Sequence, residues 1–135
     1  MNAVDALRII KKRETYEKLS ADLKLSPAII SRYINGRVLP SSKRAEDLLS
    51  TIFATHPSSR IIEDFVKIDE SGVIDDSDVI SNPALLHLLA IECSTVINEK
   101  VDVILTVAAD GIAFSEELAN VYEATLAVVK KEREL

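Results

Sequence analysis

Residues 27 to 35 carry side chains suited to meeting a base-pair edge. Arg32 and Asn35 end in planar hydrogen-bonding groups of the kind that make base or near-base contacts. Pro27, Ala28 and Ser31 share their face at helical spacing and are small enough to lie against base edges without steric conflict. Lys24, Arg37, Lys43 and Arg44 flank this stretch, and fixed positive charge there suits phosphate oxygens, contacts that set register without reading sequence.

The elements that must position these residues are marked by caps. Thr15 suits the N-cap of a helix over Tyr16–Leu23, and a short break follows at Lys24–Leu25–Ser26. Ser26 and Pro27 restart a helix, serine as cap and proline at the first helical position, where its missing N–H costs nothing. That helix is expected to run to Asn35 and stop at Gly36, a residue that takes the left-handed conformation easily. Leu19, Leu23, Leu25, Ile30 and Tyr33 then point inward, clamping two short helices around a tight turn. The stretch resembles the Cro-type, phage-repressor (lambda-repressor-like) helix-turn-helix family at Leu19–Ser20, Leu25–Ser26, Ile30–Ser31–Arg32 and the Asn35–Gly36…Leu39–Pro40 exit. It departs at Lys24, where glycine is common, and at Ser20, where alanine is usual. The resemblance implies an all-α DNA-binding domain over residues 1–55.

Other helices support this unit. Val4, Leu7 and Ile10 recur at helical spacing over residues 2–12, which the basic cluster Lys11–Lys12–Arg13 closes. That cluster serves either the helix dipole or phosphate. After Pro40, Ser41 or Ser42 caps a helix with Ala45, Leu48, Leu49, Ile52 and Phe53 on one face. Lys43 and Arg44 fall in its first turn, where the helix dipole disfavours cations, and a local cost of that kind points to an anionic partner. Thr55–Ser59 reads as the domain boundary, with His56 a plain loop residue.

Charge divides the same way. Residues 1–60 hold eleven Lys/Arg against six Asp/Glu, whereas residues 61–135 hold five against sixteen, within a net charge of −6. Phosphate attraction is therefore local to the N-terminal half. Cys93 is the single cysteine, expected to be a small buried residue in a reducing, cytoplasmic setting, and no apolar run is long enough to span a bilayer.

In the second half, Phe65–Ile68 and Val73–Ile74 flank Asp69–Gly72 as a small hairpin. Asp75, Asp76 and Asp78 lack the alternating order of a calcium loop, and no metal ligand set is assigned. Asn82–Pro83 starts a helix to about Glu99, apolar around almost its whole circumference; His87 on it reads as a core or interface histidine. Val101–Ala108 reads as a strand buried on both faces, Ala109–Gly111 as a tight loop, Ile112–Val121 as a helix and Ala124–Val129 as a second buried strand. This is a βαβ unit with a parallel crossover.

The run Val101–Phe114, with Ala124–Lys131 after it, resembles the front half of a type I phosphoribosyltransferase domain, as found in purine-repressor and archaeal transcriptional regulators. The resemblance implies that Ala108, Ala109, Asp110 and Gly111 approach a phosphate through backbone amides, at a strand end and helix start, a natural anion site. Asp110 departs from the pattern, since relatives often carry lysine or arginine there. The paired-acid, glycine- and threonine-rich loop that grips phosphoribosyl pyrophosphate in the family is not among these residues, and no nucleophile–base pair or histidine cluster replaces it.

The expected fold is α+β: the helix-turn-helix domain over 1–55, then a partial α/β unit over 60–135 that dimerises and meets a nucleotide or phosphoribosyl pyrophosphate effector. The expected function is sequence-specific, double-stranded DNA binding by a homodimeric transcriptional regulator without catalytic residues or cofactor. The alternative is a phosphoribosyltransferase fragment with an appended helical domain.

Overall fold

The computed structural model describes residues 2–109 and 111–132. The chain is of mixed α+β class and divides into two compact units that meet at Asp64 and Phe65.

The first unit is helical. It contains α1 (Asn2–Lys11), α2 (Tyr16–Leu23), α3 (Pro27–Ile34), α4 (Ser42–Thr55) and α5 (Ser58–Glu63). Three of the five start on a side-chain cap: Thr15 Oγ1 accepts from Lys18 N–H, Ser26 Oγ from Ile29 N–H and Ser41 Oγ from Arg44 N–H. Each cap satisfies an amide that the helix leaves unpaired, a contribution of about 1 kcal/mol. Leu7, Ile10, Leu19, Ile30 and Ile52 are fully buried and join α1, α2, α3 and α4 in one core. Burial of each such side chain stabilises by roughly 1.5–3 kcal/mol, more than any surface ion pair provides. Leu23, Leu25 and Tyr33 are buried too, so all five residues expected to clamp the bihelical corner do so.

The unit extends past the Thr55–Ser59 stretch. Pro57 and His56 end α4, but Ser58 and Ile61 of the following helix are buried and the Arg13 guanidinium pairs with the Asp64 carboxylate. The division of the chain therefore comes after Asp64.

The second unit opens with β1 (Lys67–Ile68) antiparallel to β2 (Ile74–Asp75), Lys67 opposite Asp75 and Ile68 opposite Ile74. Gly72 takes φ +85° in the turn. The aspartates here build turns. Asp69 Oδ1 accepts from Ser71 O–H, Ser71 N–H and Val73 N–H, and these bonds hold its carboxyl below the usual range. Asp75 does the same with Ser77, while Asp78 pairs with Lys67 at 2.9 Å.

α6 (Ser77–Ile80) leads into α7 (Pro83–Val96), which Asn82 caps by accepting from Leu85 N–H. β3 (Val103–Val107), α8 (Ile112–Tyr122) and β4 (Thr125–Val129) then form the expected strand–helix–strand unit. The two strands are parallel and paired from Val103 opposite Thr125 to Val107 opposite Val129. α8 packs on both strands and α7 packs on α8, with Leu85, Leu86, Leu88, Ala90 and Ile91 buried. Val96 and Ile97 are exposed, so α7 is covered along its first three turns rather than all round to Glu99.

The strands differ from expectation in one respect. β3 alternates: Ile104 and Thr106 turn inward, while Val103, Leu105 and Val107 remain 56%, 69% and 67% exposed. A β-branched run is buried on both faces only where helices cover both, and here the helical layer lies on one. The other face is an uncovered apolar surface.

Candidate nucleic-acid interface

α2 and α3 meet through a turn whose geometry explains its residues. Lys24 caps α2 in the left-handed conformation, φ 54° and ψ 39°, the conformation for which glycine is the natural choice. Ser20, just before it, donates its hydroxyl to the Leu25 carbonyl at 2.5 Å and so ties the helix to the turn. In the sequence that serine stands out only as a departure from the usual alanine.

α3 ends one residue before Asn35, which caps it, and Gly36 follows at φ +69°. Arg8 on α1 reaches this end: its Nε donates to the Ile34 carbonyl at 2.9 Å, placing a cation where the helix dipole is negative. Arg8 is a positioning residue that the sequence pattern did not single out, because its target is twenty-six residues away.

Pro27, Ala28, Arg32 and Asn35 are exposed, and Ser31 is half-buried beside them. The Asn35 amide donates to the Ser31 hydroxyl at 3.1 Å. Beyond Gly36 the chain folds back, with the amides of Arg37 and Val38 both donating to the Arg32 carbonyl at 3.0 and 3.4 Å. The loop is thereby fixed to the last turn of α3 and leads directly into the Ser41 cap of α4, where Lys43 and Arg44 stand in the first turn.

The cations of this unit fall into two sets. Arg8 pairs with Asp5, Arg13 with Asp64 and Lys18 with Glu14, while Lys11 lies 4.5 Å over the Tyr16 ring. Lys24, Arg32, Arg37, Lys43 and Arg44, all exposed, have no acidic partner among the described residues. Those five lie on α3 or within ten residues of its ends; Lys12 and Arg60, also exposed, have no acidic partner among the described residues either.

A second feature of this unit is a cavity of about 220 Å³ lined by Ile10, Arg13, Lys18, His56, Arg60 and Asp64, among others. His56 is not the plain loop residue expected. It is 10% exposed, its Nε2 lies 3.0 Å from Asp22 Oδ2, and its Nδ1 lies 3.9 Å from Glu14 Oε1. It joins the end of α4 to α2, so it serves the scaffold. Arg13–Asp64 and Lys18–Glu14 neutralise much of the cavity's charge internally.

In the second unit, the loop after β3 has a different character. The Ala108 amide donates to the Val129 carbonyl and the Ile112 amide to that of Ala109, so two of the amides nearest the start of α8 are already engaged. The Ala108–Ala109 peptide is cis. Gly111 permits close packing: a Cβ there would lie 2.7 Å from Thr106 Oγ1. Asp110, the fourth residue of the expected phosphate loop, lies outside the described residues. Cys93 is partly buried, and burial together with Glu92 raises its thiol pKa, while His87 pairs with Glu117 at 3.0 Å.

No family model, curated protein or solved structure matches this chain. No described helix is long and apolar enough to cross a membrane.

Proposed function

We propose that the protein binds double-stranded DNA in a sequence-dependent manner, as a homodimeric transcriptional regulator, with α3 as the helix that enters the major groove. One observation carries this reading: five exposed cations without acidic partners among the described residues lie on α3 or within ten residues of its ends, whereas four of the other six in this unit are paired or stacked. Unpaired like charges held close together raise the free energy of the isolated protein, and a polyanion relieves that by taking phosphates to them.

Roles follow from placement. Arg32 and Asn35 read bases, arginine suiting guanine and asparagine adenine, with Ala28 and Ser31 against neighbouring edges and Pro27 at the tip of the helix. Lys24, Arg37, Lys43 and Arg44 hold phosphates. One α3 gives modest discrimination, since a bidentate contact contributes about 1–3 kcal/mol. A two-fold pair places a second copy about 34 Å away on the same DNA face. The second unit, with its uncovered apolar strand face and its acidic composition, suits self-association rather than contact with the duplex.

Selection of bound DNA from a random pool, followed by a mobility-shift titration, tests the reading. Arg32→Ala is expected to weaken the selected site and relax one base position. Lys43→Ala is expected to weaken all sequences and reduce the slope of log affinity against log salt by about 0.9 for each subunit bound. Absence of any retardation at low salt would overturn the proposal. Running the selection with and without phosphoribosyl pyrophosphate and purine nucleotides tests for an effector.

A further inference from the structure

The loop between α3 and α4 exposes two large aliphatic side chains, Val38 at 47% and Leu39 at 66%. Neither belongs to the core, which closes at Pro40. The loop is not slack, because the Arg37 and Val38 amides are bonded to Arg32 and Ser41 caps the next helix. An aliphatic pair is thus held out into water on a fixed backbone. Arg32 and Arg37 precede it and Lys43 and Arg44 follow, all four exposed and without acidic partners among the described residues.

We infer that Val38 and Leu39 pack against deoxyribose on the strand that borders the groove, between phosphates held by Arg37 on one side and by Lys43 or Arg44 on the other. This rests on the DNA-binding reading above and adds to it a contact of a different chemistry. With Arg32 and Asn35 at the end of α3 facing the groove, the loop that leaves the helix at Gly36 passes out to the rim. There the duplex alternates phosphate with the apolar carbons of the sugar. A surface that alternates cation, aliphatic pair and cation matches that period. The contact reads no base, and it favours DNA over RNA, because a 2′-hydroxyl would set a polar group against Leu39. It also differs from the cationic contacts in releasing no counterions.

The difference gives the test. On the DNA selected by the wild type, Leu39→Ala should weaken binding by about tenfold, the order expected when one large aliphatic contact is lost. The salt slope and the base preference should stay unchanged, whereas Lys43→Ala lowers the slope. Because Leu39 is exposed, the variant should melt as the wild type does. A single ribonucleotide placed along the flanking strand should weaken the wild type and leave Leu39→Ala nearly unaffected, a coupling that a merely structural role would not produce. Unchanged affinity for Leu39→Ala overturns the inference, as does a loss that comes with a reduced salt slope, a changed base preference or no coupling to the ribose. Tight, nuclease-resistant binding of an acidic protein lost in Leu39→Ala, with DNA binding intact, also overturns it. Failure of the wild type to bind any DNA overturns the functional reading itself.

Discussion

The Asn35 amide nitrogen donates to the Ser31 hydroxyl oxygen at 3.1 Å across one turn of α3. That bond uses one of the two amide N–H groups and leaves the other, with the carbonyl oxygen, free for a bidentate partner such as adenine. It also holds the rotamer in place, which on the proposed reading reduces the entropy lost on binding DNA. Asn35→Ala should cost about 1–3 kcal/mol and relax one base position. Ser31→Ala should keep the same base preference at a smaller cost of about 0.5–1.5 kcal/mol, the worth of one neutral hydrogen bond. Competition binding against single-base variants of the selected site separates the two. Equal preference profiles for Asn35→Ala and wild type would remove Asn35 from the reading set.

Lys24 presents a conflict between stability and binding. A side chain in the left-handed region costs roughly 1–2 kcal/mol, which glycine avoids while adding disorder to the unfolded chain. Lys24→Gly should therefore raise the stability of the first unit by about 0.5–1 kcal/mol in thermal or urea unfolding. If Lys24 holds a phosphate as proposed, the same change should also lower the salt slope, by about 0.9 for each subunit bound. A variant that gained stability and kept the full slope would show that Lys24 makes no phosphate contact.

How much of this was legible in the sequence depends on how far apart the partners lie. Thr15, Ser26 and Ser41 announce their helices because an N-cap bonds an amide three residues on, and each does so here. The bihelical corner was legible for the same reason, its five apolar residues lying within fifteen positions. His56 was misread as a loop residue because its meaning is a carboxylate thirty-four positions away at Asp22. Arg8 escaped notice likewise, its target being a backbone carbonyl that no residue type advertises. The open face of β3 was misread for another reason. Val103, Leu105 and Val107 are apolar like their inward neighbours, so the run carries no alternation from which one-sided cover could be told.

Gly111 and Thr106 offer a test internal to the second unit. A Cβ at residue 111 would lie 2.7 Å from Thr106 Oγ1, on a short and buried side chain. Gly111→Ala should destabilise this unit by about 1–3 kcal/mol, the usual range for overpacking. Thr106→Ala in the same chain should restore most of that loss, and a double-mutant cycle of unfolding free energies measures the coupling. Additive effects of the two changes would mean that the backbone, not Thr106, sets the need for glycine.

The uncovered strand face makes self-association the last point to test. Val103, Leu105 and Val107 stand on one face of β3, and the parallel register sets Thr125, Ala127 and Val129 beside them without a charged residue among the six. Apolar surface of this kind is stabilised by a partner, and acidic copies repel one another least where they carry no charge. Leu105→Lys places a cation at a position already 69% exposed, so the folded protomer should lose no more than about 0.5 kcal/mol. The association constant from sedimentation equilibrium should fall by more than about tenfold, because each copy would bring a buried, unpaired charge to the interface. DNA carrying two half-sites should then lose cooperative binding, while a single half-site is bound as before. If the wild type sedimented as a monomer throughout, or Leu105→Lys associated as strongly as it does, the dimer surface would have to lie elsewhere than on β3.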